Sequence, residues 1–160
     1  MPPPSPSTLP LLGWKEDGAL PEWGIRRLRV KLDTGAKTSA IHVVSCEEFD
    51  GEQIDGVGPQ PMVRLSIPMS RRAGGRVVVV RTAVVGRKIV RDSGGEAEER
   101  PVVRTHLRCG PIDRRIDVTV TDRAGMIFRM ILGREALGGA CWVDPAAAYT
   151  TRAEPRPARP

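Results

Sequence analysis

The stretch Leu28-Arg29-Val30-Lys31-Leu32-Asp33-Thr34-Gly35-Ala36-Lys37-Thr38-Ser39-Ala40 decides how this chain is read. Leu28, Val30 and Leu32 alternate with charged residues, which is the period of a strand with one buried face. That strand delivers Asp33 to a glycine turn. Asp bonds its own backbone at such turns and Gly follows the sharp path, so one reading of Asp33 is a simple turn former. The other is a carboxylate placed for acid–base work. In that second reading Thr34 offers a hydroxyl and Gly35 allows close approach of another backbone. Thr38 to Val44 reads as the next strand.

Outward from this turn the chain is punctuated by glycine and proline, with 17 and 15 of them in 160 residues. That composition predicts short strands and few long helices, hence an all-β domain. Leu11-Leu12-Gly13-Trp14 reads as a first strand, with Glu16-Asp17-Gly18 as its turn. Cys46 to Pro61 is acidic and rich in Gly and Pro, and reads as a loop. Met62 to Ile67 alternates again, Ser70 to Gly75 is a loop tip, and Arg76 to Val85 is the strongest strand signal. Val102 to Arg108 and Ile112 to Thr121 form a hairpin around Gly110-Pro111. Met130-Ile131-Leu132 is a short apolar strand. Arg134-Glu135-Ala136-Leu137 is a helical turn stopped by Gly138-Gly139. Eight to ten strands and one short C-terminal helix are expected. Residues 1–10 are a Pro-rich disordered N-terminus, 11–150 the folded domain, and 151–160 a loose tail alternating Pro, Arg and Ala.

Composition narrows the function classes. Aromatics are 4% of the chain, so the core is aliphatic. The net charge of +6 comes from arginines spread along strands, without an aromatic platform. This disfavours nucleic acid and suits a peptide or acidic protein substrate. Three cysteines at wide spacing, Cys46, Cys109 and Cys141, form no disulfide framework, which favours a reducing compartment. No apolar run is long enough to span a membrane, and Met1 to Pro6 lacks the pattern of a signal peptide. A cytoplasmic protein is expected.

The Asp33 turn gains weight from a second element a hundred residues on. Leu32-Asp33-Thr34-Gly35-Ala36 followed by Ile131-Leu132-Gly133-Arg134-Glu135-Ala136-Leu137 resembles the retropepsin pattern of aspartic proteases. More closely, the core from Gly13-Trp14 to Asp144-Pro145 resembles the bacterial retropepsin-like family that carries the name ATP-dependent zinc protease. The matching pieces are Val30 to His42, Asp92-Ser93-Gly94-Gly95, Val118 to Arg123 and Phe128 to Arg134. Lys37 stands where that family is expected to have Arg.

The resemblance implies a small closed β-barrel and an aspartic peptidase with one catalytic carboxylate, Asp33, per chain. Two carboxylates held roughly 3 Å apart share one proton in such enzymes. A single Asp33 therefore implies a homodimer with the site on its two-fold axis. Thr34, Gly35 and Ala36 would support the site. Arg134 would pair with an acid near the dimer interface. Asp92-Ser93-Gly94-Gly95 reads either as the tip of a flap over substrate or as a plain β-turn. A chain of 160 residues is too short for two full pepsin lobes.

The family name also raises zinc and ATP. The weak metal candidates are His42 with Cys46 and His106 with Cys109, two pairs that would need to converge into one Cys2His2 set. Lone histidines on strands are more often satisfied polar residues, so no metal or other cofactor is expected. No Gly-x-x-x-x-Gly-Lys-Ser/Thr loop is present. By the resemblance, any ATP link would come from a partner such as an ATP-grasp ligase. Neither Ser39 nor Ser93 sits in a Gly-x-Ser-x-Gly elbow, and His106 and Cys109 on one strand face opposite sides. The two rival readings are a zinc-dependent peptidase, as the family name states, and a non-catalytic β-barrel binding module.

Overall fold

In the computed structural model, residues 2, 8–51, 58–91, 94–122 and 127–152 are described. Eleven strands dominate: β1 (Leu11–Gly13), β2 (Lys15–Leu20), β3 (Ile25–Leu32), β4 (Ser39–His42), β5 (Ser45–Asp50), β6 (Pro61–Pro68), β7 (Val77–Arg91), β8 (Ala97–Cys109), β9 (Ile112–Thr121), β10 (Met130–Leu132) and β11 (Trp142–Asp144). One short helix, α1 (Arg134–Leu137), follows β10. Among the described residues no helix is long and apolar enough to cross a membrane.

The main sheet runs β2-β3-β10-β4-β9-β8-β7-β6-β5, and a further pairing of β2 with β8, Ala19 opposite Arg108, joins its ends around six of the strands. Those six form a closed ring, while β7, β6 and β5 extend outward from β8. Ring closure hides the backbone edges that an open sheet leaves exposed. The interior is aliphatic: Val30, Leu32, Ile41, Val103, Leu107, Val118, Met130 and Leu132 are all buried. Trp23, the one buried aromatic side chain of this core, sits in a 3₁₀ turn, Pro21–Trp23. β1 and β11 form a separate parallel pair.

Strands with an apolar alternation were legible from sequence, and two without it were not. Glu16-Asp17-Gly18, expected as a turn, lies within β2, where Glu16, Gly18 and Leu20 face inward. Glu16 is fully buried because its carboxylate accepts hydrogen bonds from the Gly13 amide and from Thr150 and Thr151. Those last two donors are more than 130 residues away in sequence, so local composition could not reveal the strand. The same contacts carry order to Thr151 and Arg152, the first residues of the expected loose tail, with Arg152 bonding Asp17.

The second difference is β5, inside the expected loop from Cys46 to Pro61. It pairs antiparallel with β6 from Ser45–Ser66 to Asp50–Pro61. It is an edge strand with exposed side chains, so it shows no buried face to read. Its acids meet bases on neighbouring strands: Glu48 takes both Nη atoms of Arg87 at 2.7 and 2.8 Å, and Glu47 lies 3.6 Å from Arg64.

Candidate active site

β3 and β4 are consecutive in sequence, joined by the Asp33 turn, yet they are not neighbours. β10 lies between them, parallel to β3 with Leu132 opposite Leu32, and antiparallel to β4 with Met130 opposite Ile41. The insertion brings residues 33–37 against 132–135. The Asp33 amide donates to the Leu132 carbonyl at 2.8 Å, the Arg134 amide to the Ala36 carbonyl at 2.8 Å, and the Glu135 amide to the Lys37 carbonyl at 3.0 Å. Such obligatory backbone pairing removes freedom from the turn.

Two side chains complete the lock. Arg134 Nη1 donates to the Thr34 carbonyl at 3.0 Å. The resemblance had assigned Arg134 to an acid at a dimer interface, and within the chain it braces the Asp33 turn. Ser39, fully buried at the start of β4, accepts from the Gly133 amide at 3.1 Å, while its own carbonyl accepts from Thr119 Oγ1 at 3.0 Å. Sequence reasoning weighed Ser39 only as a nucleophile. Its position one residue past Thr38, whose backbone Gly133 almost touches, is what makes it a positioning residue. A Cβ on Gly133 would lie 2.5 Å from the Thr38 oxygen, so only glycine fits there.

The carboxylate itself is half-buried and held from two sides. Asp33 Oδ1 accepts from the Gly35 amide at 3.0 Å, and Oδ2 lies 3.6 Å from Lys31 Nζ. Lys31, two positions earlier near the end of β3, was not singled out from the sequence. The period of two puts it on the side of the strand that Asp33 occupies. Thr34, Gly35 and Arg134 are exposed and Ala36 is half-buried, so the turn forms an open surface.

The site is thus an Asp-Thr-Gly turn whose flanking strands are parted by the strand that leads into Gly133. Residues 11–154 match the family described as retropepsin-like aspartic endopeptidase RimB. The chain belongs to the RimB-like family. A relative of this RimB-like chain by sequence is a protein of Desulfotalea psychrophila named "Probable alpha-L-glutamate ligase", 36% identical over 85% of this chain. A protein of the same name from Shewanella pealeana is 30% identical over 87% of it. The matched part is 28% and 29% of those two proteins, so this RimB-like chain spans less than a third of their length. A crystal structure of a protein of unknown function from Legionella pneumophila superposes with a TM-score of 0.70 and 28% identity, covering 89% of this chain and 98% of the other.

The remaining candidates fall elsewhere. Asp92 and Ser93 lie outside the described residues. Gly94 and Gly95 form the turn between β7 and β8, with Gly95 at φ +84°. The stem of that hairpin reaches the site's helix: Lys88 of β7 contacts the Glu135 carboxylate at 3.3 and 3.4 Å.

The four metal candidates do not converge. His106 bonds Asp113 on β9. Cys109 is buried on the other side of β8, and its thiol is pushed up to about 12, chiefly by burial. His42 is buried in β4 and Cys46 is exposed in β5. Among the described residues no group of three or more His, Cys, Asp or Glu side chains could hold a metal ion.

Proposed function

We propose that the protein is an aspartic peptidase that works as a homodimer, with Asp33 of each protomer supplying one carboxylate. The observation that carries this reading is Asp33 itself: a carboxylate on an open turn, residues 33–37, whose backbone is bonded to Leu132, Arg134 and Glu135. A lone carboxylate cannot be both base and acid in one step. Two on a two-fold axis share a proton, so one takes the proton of the attacking water while the other protonates the carbonyl oxygen. The exposed Thr34 and Gly35 are the atoms a second turn would meet. The β7–β8 hairpin would serve as the flap over the bound chain.

The substrate in this reading is an acidic chain joined by amide bonds. The net charge of +6 supports it. So do the relatives named as glutamate ligases, in which the part similar to this chain is one segment of a longer protein. A ligase that forms glutamyl amide bonds would be the ATP-using partner, and both would act in the cytoplasm. No metal is assigned a role.

The test uses oligo-α-glutamate peptides and protein carrying Asp33→Asn. Turnover is expected to fall at least about a hundredfold. Mixing Asp33→Asn with unaltered protein is expected to depress activity more than dilution does, because mixed dimers hold one carboxylate. Full activity in Asp33→Asn protein would sink the proposal. Separation of the two Asp33 carboxylates beyond hydrogen-bond reach in a dimer structure would favour a binding module instead.

A further inference from the structure

A second polar site lies at the other end of β10. The His42 amide donates to the Arg129 carbonyl at 2.8 Å, one residue before β10, whereas Asp33 meets Leu132 at its far end. His42, Arg129 and the loop between β6 and β7 surround a cleft of about 420 Å³. Its charged lining is Arg71, Arg72 and Arg129, with His42 beside them and no carboxylate among the lining residues. That volume falls within the range of sites that hold small ligands or side chains.

The charge of the cleft suits an anion. His42 is only 7% exposed and its Nδ1 is fully buried without a hydrogen-bond partner, so it lies behind the surface that a bound group would touch. The arginines carry the charge of that surface, and no ion pair among the described residues offsets it. Ion pairs among the described residues engage Arg27, Arg64, Arg87, Arg100, Arg104, Arg108, Arg115 and Arg152, and not these three. Burial and the charge of Arg71 both disfavour the Arg129 guanidinium. Burial and then Arg129 lower the His42 pKa, against a smaller opposing pull from Asp122.

The loop that carries Arg71 and Arg72 has a fixed shape. The Met69 amide donates to the Arg76 carbonyl at 2.8 Å and the Gly75 amide to the Arg72 carbonyl at 3.1 Å. A Cβ on Gly75 would lie 2.1 Å from Ser70 Oγ and 3.1 Å from the Arg72 carbonyl oxygen, so a side chain there would make Ser70 rotate away. Beside the charges, the exposed Val44 and Val77 offer an apolar wall. Arginine forks suit carboxylates, and an apolar wall suits the methylenes of a glutamate stem.

We infer that this cleft is a second, non-catalytic site that holds carboxylates of an acidic polypeptide, with Arg71, Arg72 and Arg129 as donors beside His42. The anion site rests on the lining residues alone. The choice of an acidic polypeptide as occupant rests on the substrate proposed above. A chain anchored here stays with the enzyme between cuts, which raises its local concentration at Asp33.

The test separates this site from catalysis by using Asp33→Asn protein, which keeps the chain intact. With ¹⁵N-labelled histidine there are two imidazoles to follow, His42 and His106, assigned through His106→Gln. Penta-α-glutamate is expected to move the His42 signals to saturation, and pentaglutamine is not. Arg71→Ser with Arg72→Ser, both on an exposed loop, is expected to weaken binding roughly tenfold. The proposal is overturned if His42 does not respond, if both peptides shift it equally, or if the double variant binds within twofold of the parent. Displacement of the glutamate peptide by inorganic phosphate or a short oligonucleotide at lower concentration would also overturn it, by assigning the cleft to phosphates.

Discussion

Arg134 Nη1 donates to the carbonyl of Thr34 at 3.0 Å, so the residue that opens α1 holds the turn that carries Asp33. The two residues are one hundred apart in sequence and belong to the two elements that β-strand insertion brings together. Arg134→Ala is expected to cost about 0.5–1.5 kcal/mol in stability, the net worth of one such bond. Its effect on turnover should be larger, roughly tenfold to a hundredfold in kcat with little change in KM, because a loosened turn misplaces Asp33. Arg134→Lys should recover stability better than kcat, since an ammonium lacks the planar fork. Urea denaturation and steady-state kinetics on the same samples check both. An unchanged kcat in Arg134→Ala would remove Arg134 from the site.

Gly133 makes the sharper steric prediction. Its substitution by Ala would set a Cβ 2.5 Å from the Thr38 oxygen and 2.6 Å from the Thr38 carbonyl carbon, both backbone atoms that cannot swing aside. Gly133→Ala is expected to destabilise the protein by about 1–3 kcal/mol. Gly86→Ala is the control, because nothing lies within 4 Å of a Cβ there. Thermal or denaturant melts should separate the two variants clearly, and equal midpoints would show that β4 and β10 can part without penalty.

Glu16 ties stability to pH. Burial pushes its carboxyl pKa up, but the hydrogen bonds from Thr150, Gly13 and Thr151 together outweigh burial and leave it below the ordinary value of 4.5. A carboxyl depressed in the folded state stabilises fully above its unfolded pKa and loses that contribution as pH falls through the folded one. Stability should therefore hold above about pH 4.5 and decline below it. Glu16→Gln should cost about 1–3 kcal/mol at neutral pH and flatten that acid slope. Some slope should remain from Asp17, whose pKa is lowered first by the Arg152 hydrogen bond, with burial opposing it. Urea titrations between pH 3 and 7 measure this, and an unaltered slope in Glu16→Gln would refute it.

The cysteines should divide by accessibility. Cys46 is exposed, whereas Cys109 and Cys141 are buried. The thiolate is the reactive form, and burial pushes the Cys109 thiol up to about 12. Native protein should release one equivalent from an aromatic disulfide reagent, and protein in denaturant all three. The native step should be slow, because burial and then Glu48 raise the Cys46 pKa as well, against the pull of Arg87. Rapid reaction of a second thiol in the native state would place Cys109 or Cys141 nearer the surface than the fold does.

The sequence by itself determined the strands whose side chains alternate, the aliphatic core, the Asp33 turn and the match of that turn to Ile131-Leu132-Gly133. These are local patterns, or pairs of patterns, that a one-dimensional reading can hold. Only the tertiary structure decided what fills the gap between β3 and β4, which partner Arg134 takes, and why Ser39 and Lys31 sit where they do. It also made β2 and β5 strands, through a buried carboxylate bonded to Thr150 and Thr151 and through an edge pairing with no apolar face. The His42 cleft belongs to the same class, since β4, the 69–76 loop and Arg129 are far apart in the chain. The physical reason is common to all of them. Ring closure pairs backbone groups and polar side chains across large sequence separations, and such contacts leave no periodicity in the residues that make them.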